Sequence, residues 1–462
     1  MNCASEGFYQ ACDQFGIDIA FQSIPFFQMS HDDPRRASSE GPTKIIELVT
    51  YFQRLAEEPY SSQLSSGSRI CTEEIIKSII SDGSLFHAAE RSIYCNLSHG
   101  DMVMLYTRLM NRMIAFLDES DIEALIYGVH PHHPWDILFR KSARTLGIKQ
   151  FFCSYYPFSG NRCYIYDDEG DLCSPSVSSS EAHKSTIDCL AKSVYKSLVL
   201  DCTPCPRSWK PANPLAKLLY ASSSQKLEGS YYEDETNKCP LDHNGNALSS
   251  IDLGEMIAGK PTVIVFLHFE PECATNPLGK SFYEQRLAIL ALRDCLPASY
   301  YILLKDHPSY QSDQAMYRKY RGKRFLDSIR TIANVIYLPP DACSSAIELI
   351  SLQNVELCIT LTGTVSLLSL YLSKPVVILG INPIAGLPGT MTSITKDILE
   401  SSSNCRADLL NIPFLNILTK LLMPTWGFNP YGGASEICLV EDIISNDEHA
   451  AQCISTLLEC AG

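Results

Sequence analysis

The sequence predicts an α/β protein made of two Rossmann-like domains. Three observations lead there. The chain has 462 residues, about three times a common domain length, and its 45% hydrophobic and 19% charged content is that of an ordinary folded protein with ample core material. From Pro261 onward, short apolar runs alternate with helical patterns, as parallel strands with helical crossovers do. A polar tract over residues 174–250, with Ser178-Ser179-Ser180, Ser222-Ser223-Ser224 and Asn244-Gly245-Asn246, separates that region from an N-terminal stretch of similar grammar. The expected division is 1–173, a linker or insertion over 174–250, and 251–462.

In the first domain, strands are expected at Ile17–Phe21, Ala124–Val129 and Gln150–Cys153, and helices at Thr43–Leu55, Asp101–Leu117 and Trp135–Leu146, the last closed by Gly147. The polar tract holds one helical pattern, Thr186–Leu198. In the second domain the order is strand Thr262–Leu267, helix Ser281–Cys295, strand Tyr301–Leu304 and helix Asp313–Ile332. Strand Asn334–Leu338, a short helix from Ser344, strand Val355–Thr360, a helix from Val365 and strand Pro375–Gly380 follow. The terminal segment offers helices at Ala407–Leu422 and Asp442–Leu458. Two such halves with terminal helices make the GT-B plan, in which the domains face each other across a cleft. That plan serves glycosyltransferases and sugar-nucleotide epimerases alike, so it does not choose a reaction.

Composition narrows the partners. With 37 Lys and Arg against 52 Asp and Glu, the formal charge is −15, which opposes a nucleic-acid backbone. Met1–Gly7 has no basic segment followed by an apolar run, so a cytoplasmic location is expected. The apolar stretch Leu361–Ile381 is split by Lys374-Pro375 into a helix and a strand, so no transmembrane span is expected, leaving at most peripheral membrane contact. The 19 cysteines are scattered through apolar segments, as buried thiols are. Cys202-x-x-Cys205 lacks a second pair at a zinc-binding spacing, and no metal or cofactor is expected.

In open α/β sheets ligands sit beyond the carboxyl ends of the strands, which directs attention to four loops. After the strand at Thr262 comes His268-Phe269-Glu270-Pro271-Glu272. Pro271 holds Glu270 extended, so the two carboxylates are expected on one side, roughly 7 Å apart, either as a functional pair or as a solvated capping loop. Lys305-Asp306-His307-Pro308 follows the next strand, where Lys and His can bond a phosphate; alternatively it is a His-Pro turn. Thr362-Gly363-Thr364 offers hydroxyls, a close-approach glycine and free helix N-terminal amides to an anion, or else a plain helix cap. In the first domain, His130-Pro131-His132-His133-Pro134-Trp135-Asp136 links a strand to a helix, with prolines that prevent a helical pair of metal ligands. Asp167-Asp168-Glu169-Gly170, between apolar runs, reads first as a hairpin turn and second as a catalytic acidic pair.

Taken in order, His268-Phe269-Glu270-Pro271-Glu272 with Thr275, then Lys305-Asp306-His307-Pro308, then Thr362-Gly363-Thr364 resemble the bacterial capsular polysaccharide synthesis glycosyltransferases, which include Kdo transferases. Lys374-Pro375-Val376 continues the likeness, and Pro134-Trp135-Asp136 with Gly147-Ile148 extends it loosely to the first half. Glu270 stands where that family has Gln, Asp306 where it has Glu, and Cys273-Ala274 interrupts the run after Glu272. The His-Pro and Thr-Gly-Thr motifs are also similar to those of bacterial sialyltransferases, as is Asp168-Glu169-Gly170 to their acidic pair.

The resemblance implies a GT-B glycosyltransferase that moves a Kdo- or sialic-acid-like sugar from a CMP-sugar donor onto a capsular or other surface glycan acceptor. It implies that His307, Thr362 and Thr364 hold the nucleotide phosphate, that Glu272 faces the sugar and that the final helix returns to the first domain; Lys305 and Gly363, read from the chemistry of their loops, are expected to join the phosphate site. Glu272, Asp136 and Asp168 are the candidate catalytic carboxylates, with His268, Glu270, His130 and His132 facing substrate. The rival readings are a sugar-nucleotide epimerase, a transferase of polyol phosphate from CDP, and a non-catalytic partner in a glycan assembly complex.

Overall fold

A computed structural model describes residues 21–23, 44–46, 72–89, 97–120, 122–128, 130–155, 163–173, 181–200, 257–270, 272–311, 314–340 and 346–425. The chain is α/β and divides into two compact units, residues 1–194 with 422–462, and residues 195–421. The division therefore falls inside the helix Glu181–Leu200, well beyond the start of the polar tract. The expected strand Ile17–Phe21 except for its last residue, most of the polar tract and the helix Asp442–Leu458 lie outside the described residues.

The first unit opens with β1 (Phe21–Ser23) and β2 (Lys44–Ile46), which pair in parallel. Here the β-branched pair Ile45-Ile46 sits in a strand where a helix was expected from Thr43. Helices α1 (Thr72–Ile80), α2 (Gly83–Ala89), α3 (His99–Glu119) and α4 (Pro134–Thr145) follow. Ser98 caps α3 by accepting the Asp101 N–H, and Pro134 at the first position starts α4 without losing a hydrogen bond. Gly147 closes α4 at a φ of 74°, a value that glycine alone adopts without strain. The buried stripe Tyr106, Met110, Met113 and Leu117 of α3 packs with Ile75 and Ile79 of α1 and with Leu138 of α4.

The four-stranded sheet of this unit runs β3 (Ala124–Tyr127), β4 (Lys149–Tyr155), β5 (Cys163–Asp167), β6 (Leu172–Cys173). Only β3 and β4, joined through α4, are parallel; β4, β5 and β6 form an antiparallel meander. The turn from β5 to β6 holds Gly170 at a φ of 88°, and Gly170 N–H donates to the Asp167 carbonyl, so the acidic run is a hairpin turn. Helix α5 (Glu181–Leu200) follows, longer than the expected Thr186–Leu198.

The second unit contributes strands β7 (Thr262–Phe266), β8 (Tyr301–Lys305), β9 (Val335–Leu338), β10 (Val355–Thr360), β11 (Val376–Ile378) and β12 (Thr390–Met391). They form one six-stranded sheet, parallel throughout, in the order β12-β11-β10-β7-β8-β9. The crossovers use α6 (Gln285–Cys295), α7 (Gln314–Arg321), α8 (Lys323–Arg330), α9 (Ala346–Ser351) and α10 (Val365–Tyr371), and α11 (Ile398–Asn411) and α12 (Phe414–Leu422) follow the sheet. Every residue of β7, β9 and β11 is buried, as a strand covered on both faces requires.

Two expected single helices are each two. Gly322, extended at ψ −172°, separates α7 from α8 within the expected Asp313–Ile332. Pro413 separates α11 from α12 within Ala407–Leu422, because it has no N–H to give and forces Ile412 into the extended region at φ −117° and ψ 120°.

Candidate functional site

The strand order sets where the second unit can bind a ligand. From β7 the chain moves through β8 to β9 on one side, then returns to the other side of β7 as β10 and moves outward through β11 and β12. The connections after β7 and β10 thus leave in opposite directions, and the carboxyl ends of these neighbours form the topological switch point. His268 follows β7, and Thr362-Gly363-Thr364 follows β10.

These two loops are bonded through one imidazole. His268 Nε2 accepts the Thr362 N–H at 3.1 Å and lies 3.0 Å from Thr360 Oγ1. Because Nε2 accepts from a backbone N–H, the ring proton resides on Nδ1. Burial pushes the imidazole down to about 3, assisted by His307 and Arg321, so His268 is neutral. Thr360 Oγ1 also accepts the Gly363 N–H at 3.1 Å. The amides of Thr362 and Gly363, expected free for an anion, are therefore engaged inside the protein. Thr364, at the N-cap of α10, forms no side-chain cap bond and is exposed.

Glycines permit this approach. A Cβ on Gly363 would lie 2.6 Å from Thr360 Oγ1, and one on Gly380, after β11, would lie 2.4 Å from the Leu278 carbonyl and 2.7 Å from Thr362 Cγ2. Asn382 adds a tether by donating from Nδ2 to the Thr362 carbonyl at 2.8 Å.

After β8, His307 Nδ1 accepts the Ser309 N–H at 3.2 Å, which puts the ring proton on Nε2. Burial lowers this imidazole to about 4, against the opposing pull of Asp306, so His307 is a neutral N–H donor at pH 7. Lys305 Nζ donates to the carbonyls of Pro339 and Pro340 at 3.0 and 3.3 Å, tying the end of β8 to the end of β9.

Glu270 and Glu272 do not share surroundings. Glu270 is buried, with Oε2 2.8 Å from Arg321 Nη1 and Oε1 2.8 Å from Gln285 Nε2. Burial raises its carboxyl, while Arg321 and Gln285 oppose the rise. Glu272 is exposed, and its backbone carbonyl anchors the following turn by accepting the N–H groups of Thr275 and Asn276. The expected pair on one side is thus one interior carboxylate and one surface carboxylate.

The sequence reading missed the group that organises this interior, Arg321. Its signal in the sequence is a spacing of four between Tyr317, Arg321 and Phe325, all three buried, although Gly322 breaks the helix between the last two. Gln285 acts beside it, accepting the His268 N–H at 2.7 Å and donating to the His268 carbonyl at 3.1 Å.

In the first unit, His130 is buried and stacked on Phe152 at 5.2 Å, and burial lowers its imidazole to about 3. The Nδ1 of His132 lies 2.9 Å from the His130 carbonyl, and the His133 ring stacks on Trp135 at 5.0 Å. Asp136 occupies the third position of α4, where backbone N–H groups of His133 and His132 bond its carboxylate as in a capping box. Burial nevertheless raises it to about 7, a value suited to proton transfer. Asp168 is bonded to Arg140 at 2.9 Å and to Arg144 at 3.2 Å in the hairpin turn. Among the described residues, no group of three or more His, Cys, Asp or Glu is arranged to hold a metal ion, and no helix is long and apolar enough to cross a membrane.

No family model and no curated protein matches this chain. Among solved structures it is similar to a UDP-GlcNAc 2-epimerase from Methanocaldococcus jannaschii, at 12% identity over 78% of this chain and 83% of that one, with a TM-score of 0.24. S. aureus MnaA, in a co-structure with UDP, matches at 12% identity over 84% and 95%, with a TM-score of 0.22. The UDP-GlcNAc 2-epimerase from Neisseria meningitidis bound to UDP-GlcNAc matches at 13% identity over 79% and 82%, with a TM-score of 0.21. At scores of this size none of them bears on the chemistry of this chain.

Proposed function

We propose that the second unit binds a nucleotide sugar at the switch point and that the chain is a glycosyltransferase, with a CMP-linked Kdo- or sialic-acid-like sugar as donor and a surface glycan as acceptor. The observation that carries this reading is the convergence of His268, His307 and Thr362-Gly363-Thr364 on the carboxyl ends of three adjacent strands, β8, β7 and β10, the edge where open parallel sheets take phosphates.

The donor's phosphate would accept from His307 Nε2–H and from the Thr364 hydroxyl, neutral groups that need no counter-charge in the unliganded protein. As the glycosidic bond breaks, negative charge gathers on the leaving phosphate, and preoriented N–H and O–H donors stabilise that charge more than they stabilise the bound donor. Glu272, on the exposed turn after His268, is the candidate base for the acceptor hydroxyl.

Thermal unfolding of the whole protein with CMP, CDP, UDP and GDP tests the reading. A ligand at 100 times its Kd should add about 2.7 kcal/mol to the stability of the state that binds it. Stabilisation by CMP supports the transferase. Stabilisation by UDP alone favours a sugar-nucleotide epimerase, and no response to any of the four opposes both.

A further inference from the structure

We propose that Arg321 is the positioning residue of the candidate site, the buried cation that bonds both the loop after β7 and the loop after β8 and sets them relative to each other. Arg321 has no exposed surface and lies at the end of α7, away from the motifs that mark the site in the sequence. Its guanidinium reaches both loops. Toward the first, Nη2 donates to the His268 carbonyl at 2.9 Å and Nη1 to Glu270 Oε2 at 2.8 Å. Toward the second, Nε donates to both oxygens of Asp306, at 3.0 and 3.2 Å, and Asp306 in turn accepts the His307 N–H at 2.8 Å.

One planar cation therefore bonds the backbone of one histidine directly and that of the other through a single carboxylate. The rest of its surroundings hold it in place. The guanidinium lies over the Phe325 ring at 4.6 Å and the Tyr310 ring at 5.2 Å, Tyr310 Oη accepts the Glu270 N–H at 2.8 Å, and Tyr337 Oη donates to Asp306. Lysine cannot reproduce this hold, because an ammonium is a point charge without a rigid fork of donors. A buried guanidinium serving two carboxylates also leaves the cluster with one more negative than positive group by formal count. Removing Arg321 would thus leave Glu270 and Asp306 buried without their shared cation, to be relieved by protonation or by movement of the loops.

This inference rests on the nucleotide-binding reading only for its functional consequence, so the experiment reads position and binding separately. Imidazole nitrogen and Cε1–H signals of His268 and His307 are compared by NMR in the unliganded wild-type protein and in Arg321→Lys. Both sets should shift, and any nucleotide affinity found for the wild type should fall at least tenfold although Arg321 touches no solvent. Shifted imidazoles with no nucleotide binding by the wild type would sustain the positioning role and remove the functional reading. A lowered melting temperature with both imidazole signals and affinity unchanged would make Arg321 structural only and overturn the proposal. If Arg321→Lys does not fold, Glu270→Gln cuts one bond to the first loop alone. His268 signals should then shift and those of His307 stay, whereas unchanged signals at both would overturn the proposal.

Discussion

His268 and Thr362, 94 residues apart in sequence, are joined by a hydrogen bond in which the Thr362 N–H donates to His268 Nε2 at 3.1 Å. This bond closes the switch point between β7 and β10. His268→Ala removes the acceptor and leaves the Thr362 N–H and the Thr360 hydroxyl to find water, at a cost of about 1–3 kcal/mol. Equilibrium denaturation in urea checks this, and a loss below about 0.5 kcal/mol would show that the bond contributes little.

Gly363 lies in the same contact. Gly363→Ala puts a methyl group 2.6 Å from Thr360 Oγ1 and 3.3 Å from Val365 Cγ1, so the Thr362–Thr364 loop must retreat. The expected cost is about 1–3 kcal/mol. Serine at the same position should behave no better, and a melting temperature equal to that of the wild type would contradict the close approach.

The buried histidines make stability depend on pH. The folded values of about 3 for His130 and His268 and about 4 for His307 lie below the ordinary 6.5, so the unfolded chain binds more protons than the native one between those limits. Their contribution is complete above pH 6.5 and is lost as pH falls toward 4 for His307 and toward 3 for His130 and His268. Each adds a slope approaching about 1.4 kcal/mol per pH unit in that window. Urea titrations at pH 7, 6 and 5 should show steadily falling stability, and His268→Gln should flatten the slope.

Asp136 has the opposite sign. Its folded value near 7 exceeds the ordinary 3.8, so the native protein binds the extra proton, and this contribution is lost as pH rises toward and through 7. Asp136→Asn should therefore lose less stability than the wild type between pH 5 and 8. A carboxyl carbon NMR titration midpoint near 4 in the wild type would show that the cap bonds to His133 and His132 outweigh burial.

Much of the second unit was legible in the sequence because its strands are continuous apolar runs, such as Thr262–Phe266 and Val355–Thr360, bounded by chemically distinct loops. The first unit was less legible. Ile45-Ile46 fits a helix or a strand equally until pairing with Phe21–Ser23 decides, and α1 went unread although Ile75 and Ile79 mark its buried face. The hairpin at Asp167–Gly170 was readable from its turn residues, whereas the bonds of Asp168 to Arg140 and Arg144 required the third dimension. At the candidate site, the motif positions were found but not their internal bonding. A sequence shows that Glu270 and Glu272 are two residues apart; only packing shows that the first meets Arg321 and the second meets solvent.

Nucleotide binding to the wild type and to His307→Ala, measured by calorimetry with CMP, CDP, UDP and GDP, tests the central claim most directly. His307 is a neutral donor from Nε2, and its bond to a charged phosphate is worth about 1.5–3 kcal/mol. Binding of CMP to the wild type and a roughly 10- to 150-fold weaker Kd for His307→Ala, with the fold intact, is the expected result. Equal affinity of the two proteins for every nucleotide, or no binding by the wild type at millimolar concentration, would contradict a phosphate site at the ends of β7, β8 and β10.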